Sequence, residues 1–192
     1  MKRPSTRPPP GPRPSVPDPR DRLLKAVLAF VRAARSLPGV HRIALVGSLA
    51  TDKPVPKDAD VLVTIEAAMD LARLAAVGRR LKGAGRSINL SADIFLADAG
   101  GRYIGRVCRY RECHMRVLCG AQHCGQRQHL NDDLHVVTLK PNLIAAPPIE
   151  LWPHIVRRVA VPTDTEALLV MKLEKEESLR EGDDAAAHNA GS

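Results

Sequence analysis

Apolar positions recur along the chain at two different spacings, and each predicts its own kind of element. From Asp21, a candidate N-cap, Leu23, Leu24, Val27, Leu28 and Val31 return at helical intervals while Lys25, Arg32 and Arg35 fall elsewhere. This predicts a first helix, ended by Pro38-Gly39. His41 to Val46 and Ala59 to Ile65 read as short buried strands. A helical segment follows over roughly Glu66 to Lys82, with Leu71, Leu74, Ala75 and Leu81 on one side, Arg73, Arg79 and Arg80 largely off it, and Gly83 and Gly85 as its stop. Ser87 to Leu96 alternates, with Leu90, Ala92, Ile94 and Leu96 facing one way and Asn89, Ser91, Asp93 and Phe95 the other, which predicts a third strand. A fourth is expected at Leu134 to Lys140. Pro141, Pro147, Pro148 and Pro153 then break the chain, so Leu143, Ile144, Ile149, Leu151 and Trp152 are expected to pack back on the core as irregular chain. Thr163 with Glu166 three residues on is a capping-box pattern for a last helix to about Leu179. About four strands and their flanking helices make an α/β (α+β) domain.

Composition narrows this picture. With 192 residues, 44% of them hydrophobic but only 3% aromatic, the expectation is one domain whose core is built from Leu, Val, Ile and Ala. No apolar run is long enough to span a membrane, and the basic N-terminus leads into prolines rather than an apolar signal segment. A cytoplasmic protein with no membrane partner is expected. Residues 1–20 hold half of the sixteen prolines, which predicts a disordered, basic, proline-rich tail. The domain is then expected over residues 21–180, with a cysteine-rich insertion at 102–129 and a second disordered tail at 181–192. The formal net charge of +8 is concentrated in two places. Residues 1–20 carry five cations to one carboxylate, and residues 101–129 carry six arginines to one glutamate. Either segment could meet phosphates, on nucleic acid or on a nucleotide, and either could be solvated charge alone.

The chemistry-bearing stretch runs from Gly47 to Val63. A Gly47-Ser48 turn leaves the first strand, and after nine intervening residues Asp58-Ala59-Asp60 opens the second. Side chains alternate along a strand, so Asp58 and Asp60 project to one face, about 7 Å apart along the strand, and can share Mg²⁺. If the third strand lies alongside in the right register, Asp93 completes a cluster able to hold two metal ions. The Gly-Ser turn would offer backbone N–H groups, the Ser48 hydroxyl and the start of a helical turn to phosphates. Lys53 and Lys57 could also reach a triphosphate, or be solvated loop lysines.

This pattern resembles the nucleotidyltransferase superfamily, the fold shared by DNA polymerase beta, CCA-adding enzymes, aminoglycoside nucleotidyltransferases and minimal stand-alone nucleotidyltransferases. The resemblance rests on Gly47, Ser48, Asp58, Asp60 and Asp93 and covers about residues 23 to 97. It implies a mixed sheet flanked by helices, with Gly47 and Ser48 at the nucleotide. It also implies Mg²⁺ on Asp58, Asp60 and Asp93, the last helping to activate the attacking hydroxyl. The activity implied is Mg²⁺-dependent transfer of a nucleoside monophosphate from an NTP, such as ATP, to a hydroxyl on a protein or a small molecule. An inert scaffold of the same fold, binding nucleic acid or a protein partner, is the alternative.

Cys108, Cys113, Cys119 and Cys124 are the chain's only cysteines, with His114 and His123 beside the second and fourth. Clustered soft ligands in a basic segment point to a tetrahedral Zn²⁺ site, in which His114 or His123 could stand in for a cysteine. Reduced buried cysteines and a disulfide pair are the alternatives, and the spacing departs from the usual zinc ribbon. Arg106, Arg109, Arg111, Arg116 and Arg127, interleaved with Tyr103 and Tyr110, would let such a loop grip nucleic acid; a structural insertion over one side of the sheet is the other reading.

Overall fold

The structure is a computed structural model describing residues 18–112 and 120–189, with side chains to residue 180. Its elements are helix α1 (Pro19–Ala34), strand β1 (Val40–Val46), a 3₁₀ turn (Gly47–Ala50), β2 (Asp58–Ile65), α2 (Ala72–Arg86), β3 (Ser91–Asp98), β4 (Tyr103–Val107), β5 (Leu130–Asn131), α3 (Pro141–Ala145), β6 (Ile149–Trp152) and β7 (Val156–Arg157). A helical run closes the chain as α4 (Thr163–Thr165), a π turn (Glu166–Val170) and α5 (Met171–Asn189).

Seven strands form one sheet in the order β5-β4-β3-β2-β1-β6-β7, in place of the roughly four expected. Among the described strands only β2 and β3 are parallel, joined by α2, and every other neighbouring pair is antiparallel, so the sheet is mixed. The mixed α/β class stands, and the extra strands are short. β5 and β7 have two residues each, and β6 fits four residues between Pro148 and Pro153. The segment expected to be irregular therefore contains α3 and β6. The expected strand at Leu134 to Lys140 is a turn and extended chain instead. Its apolar positions change phase at Val136-Val137, so Leu134 and Val136 face solvent while Val137 and Leu139 rest on the sheet.

The helices begin and end where local chemistry lets them. α1 starts before Asp21: Asp18 accepts the Arg20 N–H at 2.9 Å and Pro19 takes the first turn, where its missing N–H costs nothing. Near the start of α2, Asp70 accepts the Ala72 N–H at 2.9 Å, which sets this helix several residues beyond its expected start at Glu66. The last helix continues to Asn189, past the expected end near Leu179.

The sheet has two different faces. On one, Ile43, Leu45, Ala59, Val61, Val63, Ala92, Ile94 and Leu96 pack against α1, α2 and the π turn in the main core. α5 is tied to α1 where Glu176 accepts from Arg32 and, at 2.7 Å, from Arg35. On the other face, Ala44, Val46, Leu62, Phe95, Ala97 and Tyr103 form a smaller cluster under Ile144, Val137 and Leu139. The N-terminal ends of β2 and β3 on this second face carry the acids. Among the described residues no helix is long and apolar enough to cross a membrane.

Candidate active site

The parallel register of β2 and β3 places Asp58 opposite Ser91 and Asp60 opposite Asp93. Paired residues on neighbouring strands point to the same face, and Ala59, Val61, Ala92 and Ile94 all point into the helical core. Asp58, Asp60 and Asp93 therefore share the second face, with Asp93 directly beside Asp60. The register of the third strand, which the sequence pattern left open, is thus the one that sets Asp93 beside Asp60.

The Gly-Ser turn closes on the same carboxylates. Val46 pairs with Asp60 across β1 and β2, and Gly47 leaves β1 at φ +70°. A Cβ at Gly47 would overlap the Asp60 Oδ2 atom and lie 3.0 Å from Asp60 Cβ and Cγ. Only glycine allows both the positive φ and this approach. Ser48 donates its hydroxyl to the Asp58 carbonyl at 3.2 Å, which pins the turn to the start of β2. Lys53 and Lys57 are exposed.

Arg20 holds the turn from beneath. The residue is 5% exposed, and its guanidinium donates to the carbonyls of Ser48 (3.3 Å), Leu49 (3.1 Å), Thr51 (3.0 Å) and Lys53 (3.0 Å), to the Thr165 hydroxyl (3.1 Å) and to Asp164. Thr165 in turn donates to Leu49 O at 2.9 Å. One buried fork so ties α1, the turn and α4 together and satisfies loop carbonyls that would otherwise be orphaned.

Electrostatics separates the three acids. Burial, then the charges of Asp58 and Asp93 and a hydrogen bond with Asp58, push the Asp60 carboxyl up to about 7, against the pull of Arg106. Asp93 is already paired: Arg106 donates to its Oδ2 at 3.1 Å and Lys82 Nζ lies 3.6 Å from its Oδ1. Burial lowers the Lys82 ammonium from its ordinary value, against the pull of Asp93. Burial works against the Arg106 charge as well, but its hydrogen bond to buried Asp133 and the charges of Asp93 and Asp133 hold it above its ordinary value. Asp58 and Asp60 are thus a carboxylate pair short of positive charge, and Asp93 sits between that pair and a cationic group.

No three Cys, His, Asp or Glu side chains among the described residues stand together as a ready metal site. The Asp58–Asp60 pair nonetheless suits a hard divalent cation, because two adjacent carboxylates in which one is driven toward its protonated form lack a counter-charge. Asp93 suits it less well, since Arg106 and Lys82 engage both of its oxygens.

The expected zinc cluster lies partly outside the described residues, where Cys113, His114 and Cys119 fall. Cys108, just after β4, is buried and donates its N–H to His129 O at 2.8 Å, and Cys124 is half-buried. His123 bonds Asp132 twice, through its N–H (3.1 Å) and through its ring Nδ1 (2.6 Å). Of the arginines expected to serve this loop, Arg106 belongs to the acid site, and Arg127 donates to Met69 O at 3.1 Å.

The sequence pattern missed Arg20, Lys82, Arg106 and Asp133. Each acts across a long separation, and Arg20 sits in a segment whose prolines read as a tail. Comparison of the chain with protein-family models, with curated proteins and with solved structures finds no match.

Proposed function

We propose that the chain is a nucleotidyltransferase that moves a nucleoside monophosphate from an NTP to a hydroxyl. The observation that carries this reading is the parallel register that sets Asp93 beside the Asp58–Asp60 pair, on the face the Gly47 turn closes against. Asp58 and Asp60 would hold Mg²⁺, with Asp93 contributing once freed from its cations. The ion when bound neutralises the carboxylates and polarises a phosphate oxygen. Gly47 leaves bare backbone beside Asp60, so a triphosphate held there would meet backbone N–H groups and the Ser48 hydroxyl next to the carboxylates. Asp93 orients the acceptor hydroxyl and takes its proton as the oxygen bonds to the α-phosphorus; the bond from that phosphorus to pyrophosphate breaks, and pyrophosphate leaves.

Incubating the protein with Mg²⁺, each labelled NTP in turn and a cell extract is expected to yield a labelled acceptor, protein or small molecule, that is lost in Asp58→Ala/Asp60→Ala. Absence of label with every NTP would refute the reading. One observation favours a second reading: the ion pairs of Asp93 with Arg106 and Lys82 suit an inert scaffold that binds nucleic acid or a protein partner through the basic cysteine-rich segment. RNA or DNA binding that survives Asp58→Ala/Asp60→Ala but not Cys113→Ser, in a protein that transfers nothing, would select it.

A further inference from the structure

A cavity of about 270 Å³ opens on the β4 side of Asp93 and is lined by Lys82, Arg86, Asp93, Arg106 and Arg109, but by neither Asp58 nor Asp60. Its construction is specific. Lys82 and Arg86 are four residues apart on α2 and so project from one side of the helix. Arg106 comes from β4, and Arg109 follows just after it. Four cationic side chains therefore face a single carboxylate. Two of them are committed: Arg106 bridges Asp93 and Asp133, and Lys82 bridges Asp93 and the Val107 carbonyl (3.1 Å). Arg86 and Arg109 have no carboxylate partner among the described residues. Arg109 is braced at the rim by stacking on the Tyr110 ring (4.9 Å from its centre) and by donating to the Tyr110 hydroxyl at 2.9 Å.

We infer that this cavity is the acceptor site, and that the acceptor is a small phosphorylated hydroxyl compound, such as a sugar phosphate, whose phosphate is gripped by Arg86 and Arg109 with the Lys82 charge beside it. Planar guanidiniums match the oxygens of a phosphate in pairs, and a half-buried ammonium gains from a dianion beside it. The volume lies just below the range of drug-sized ligands, which suits one phosphate and a few carbons rather than a polynucleotide. Position adds the functional argument. Asp60 flanks Asp93 on β2 and the cavity flanks it on β4, so a nucleotide at the first and an acceptor at the second would meet at Asp93. This inference rests on the nucleotidyltransferase reading for the word acceptor; the phosphate site itself does not.

Calorimetry without Mg²⁺ or nucleotide separates the two. Ribose 5-phosphate and inorganic phosphate are expected to bind the wild-type protein while ribose does not. Affinity should fall at least tenfold in Arg86→Ala/Arg109→Ala, two exposed residues whose loss leaves the fold intact by circular dichroism. It should survive in Asp58→Asn/Asp60→Asn. Binding unchanged in the arginine variant, or no binding of either phosphate to the wild type, overturns the site. Arginine-dependent binding of a single-stranded RNA oligonucleotide with none of ribose 5-phosphate overturns the small-molecule assignment. Phosphate binding in a protein that labels no acceptor leaves the anion site standing and removes the transferase reading instead.

Discussion

Gly47 illustrates how tightly single positions are set at the acid site. Its φ of +70° and its approach to Asp60 are separate demands, and alanine fails both. The left-handed conformation alone costs a non-glycine residue about 1–2 kcal/mol, and the overlap with Asp60 must be relieved by moving either the turn or the carboxylate. Gly47→Ala is therefore expected to lower stability by about 2 kcal/mol and nucleotidyl transfer by more than tenfold, measured by urea denaturation and the labelling assay. Gly83 supplies the contrast. It lies inside α2, a Cβ there meets nothing within 4 Å, and Gly83→Ala is expected to stabilise by about 0.4–1 kcal/mol with activity unchanged. Equal effects from the two substitutions would mean that the turn does not need its present shape.

Among the elements, the turn between β1 and β2 depends on a residue from neither strand. Arg20 in α1 fills its hydrogen-bonding fork with four turn carbonyls and with Asp164 and Thr165 from α4. Arg20→Ala would strand those carbonyls and leave Asp164 without its cation, at a cost of about 3 kcal/mol in chemical denaturation. Arg20→Lys keeps the charge but not the fork, and should recover only part of that loss. A neutral Arg20→Ala would show that the turn holds itself. This clamp also marks the limit of what was legible in the sequence. β1, β2 and β3 are readable because continuous or alternating apolar runs are what a sheet buried by helices requires, and Gly47, Ser48, Asp58 and Asp60 keep a local spacing, although β3 starts at Ser91 rather than Ser87, after a turn in which Asn89 has φ +59°. β5, β6 and β7 are too short for periodicity to register, and the prolines around β6 signal a break where the chain makes one more short strand. Residues 134–140 are rich in apolar and β-branched side chains, yet their apolar positions change phase at Val136-Val137, and the described chain there turns and pairs with no strand. Arg20, Lys82, Arg106 and Asp133 left no local trace, since their partners lie far off in sequence.

For the molecule as a whole, the two faces of the sheet carry different groups. The helical face holds the larger apolar cluster, while the second face carries Asp58, Asp60 and Asp93 toward the starts of β2 and β3. Such a cluster works against folding: Asp60, pushed up to about 7 by burial and then by its acidic neighbours, is held in surroundings that disfavour its charge. A divalent cation on Asp58 and Asp60 would reverse that penalty, and a ligand that binds only the folded state stabilises it by mass action, about 1.4 kcal/mol at ten times its dissociation constant. Mg²⁺ is accordingly expected to raise the melting temperature of the wild-type protein by several degrees at saturation, with EDTA reversing the shift. Asp60→Asn should do two opposite things. It should raise the metal-free melting temperature, by relieving repulsion that costs about 1 kcal/mol, and abolish the response to Mg²⁺. Asp93→Asn separates the third acid from the pair: with Arg106 and Lys82 left facing a neutral amide, it should destabilise the protein while a Mg²⁺ response carried by Asp58 and Asp60 persists. If Asp60→Asn instead lowers the metal-free stability, the acids are structural partners rather than a site held ready for a cation.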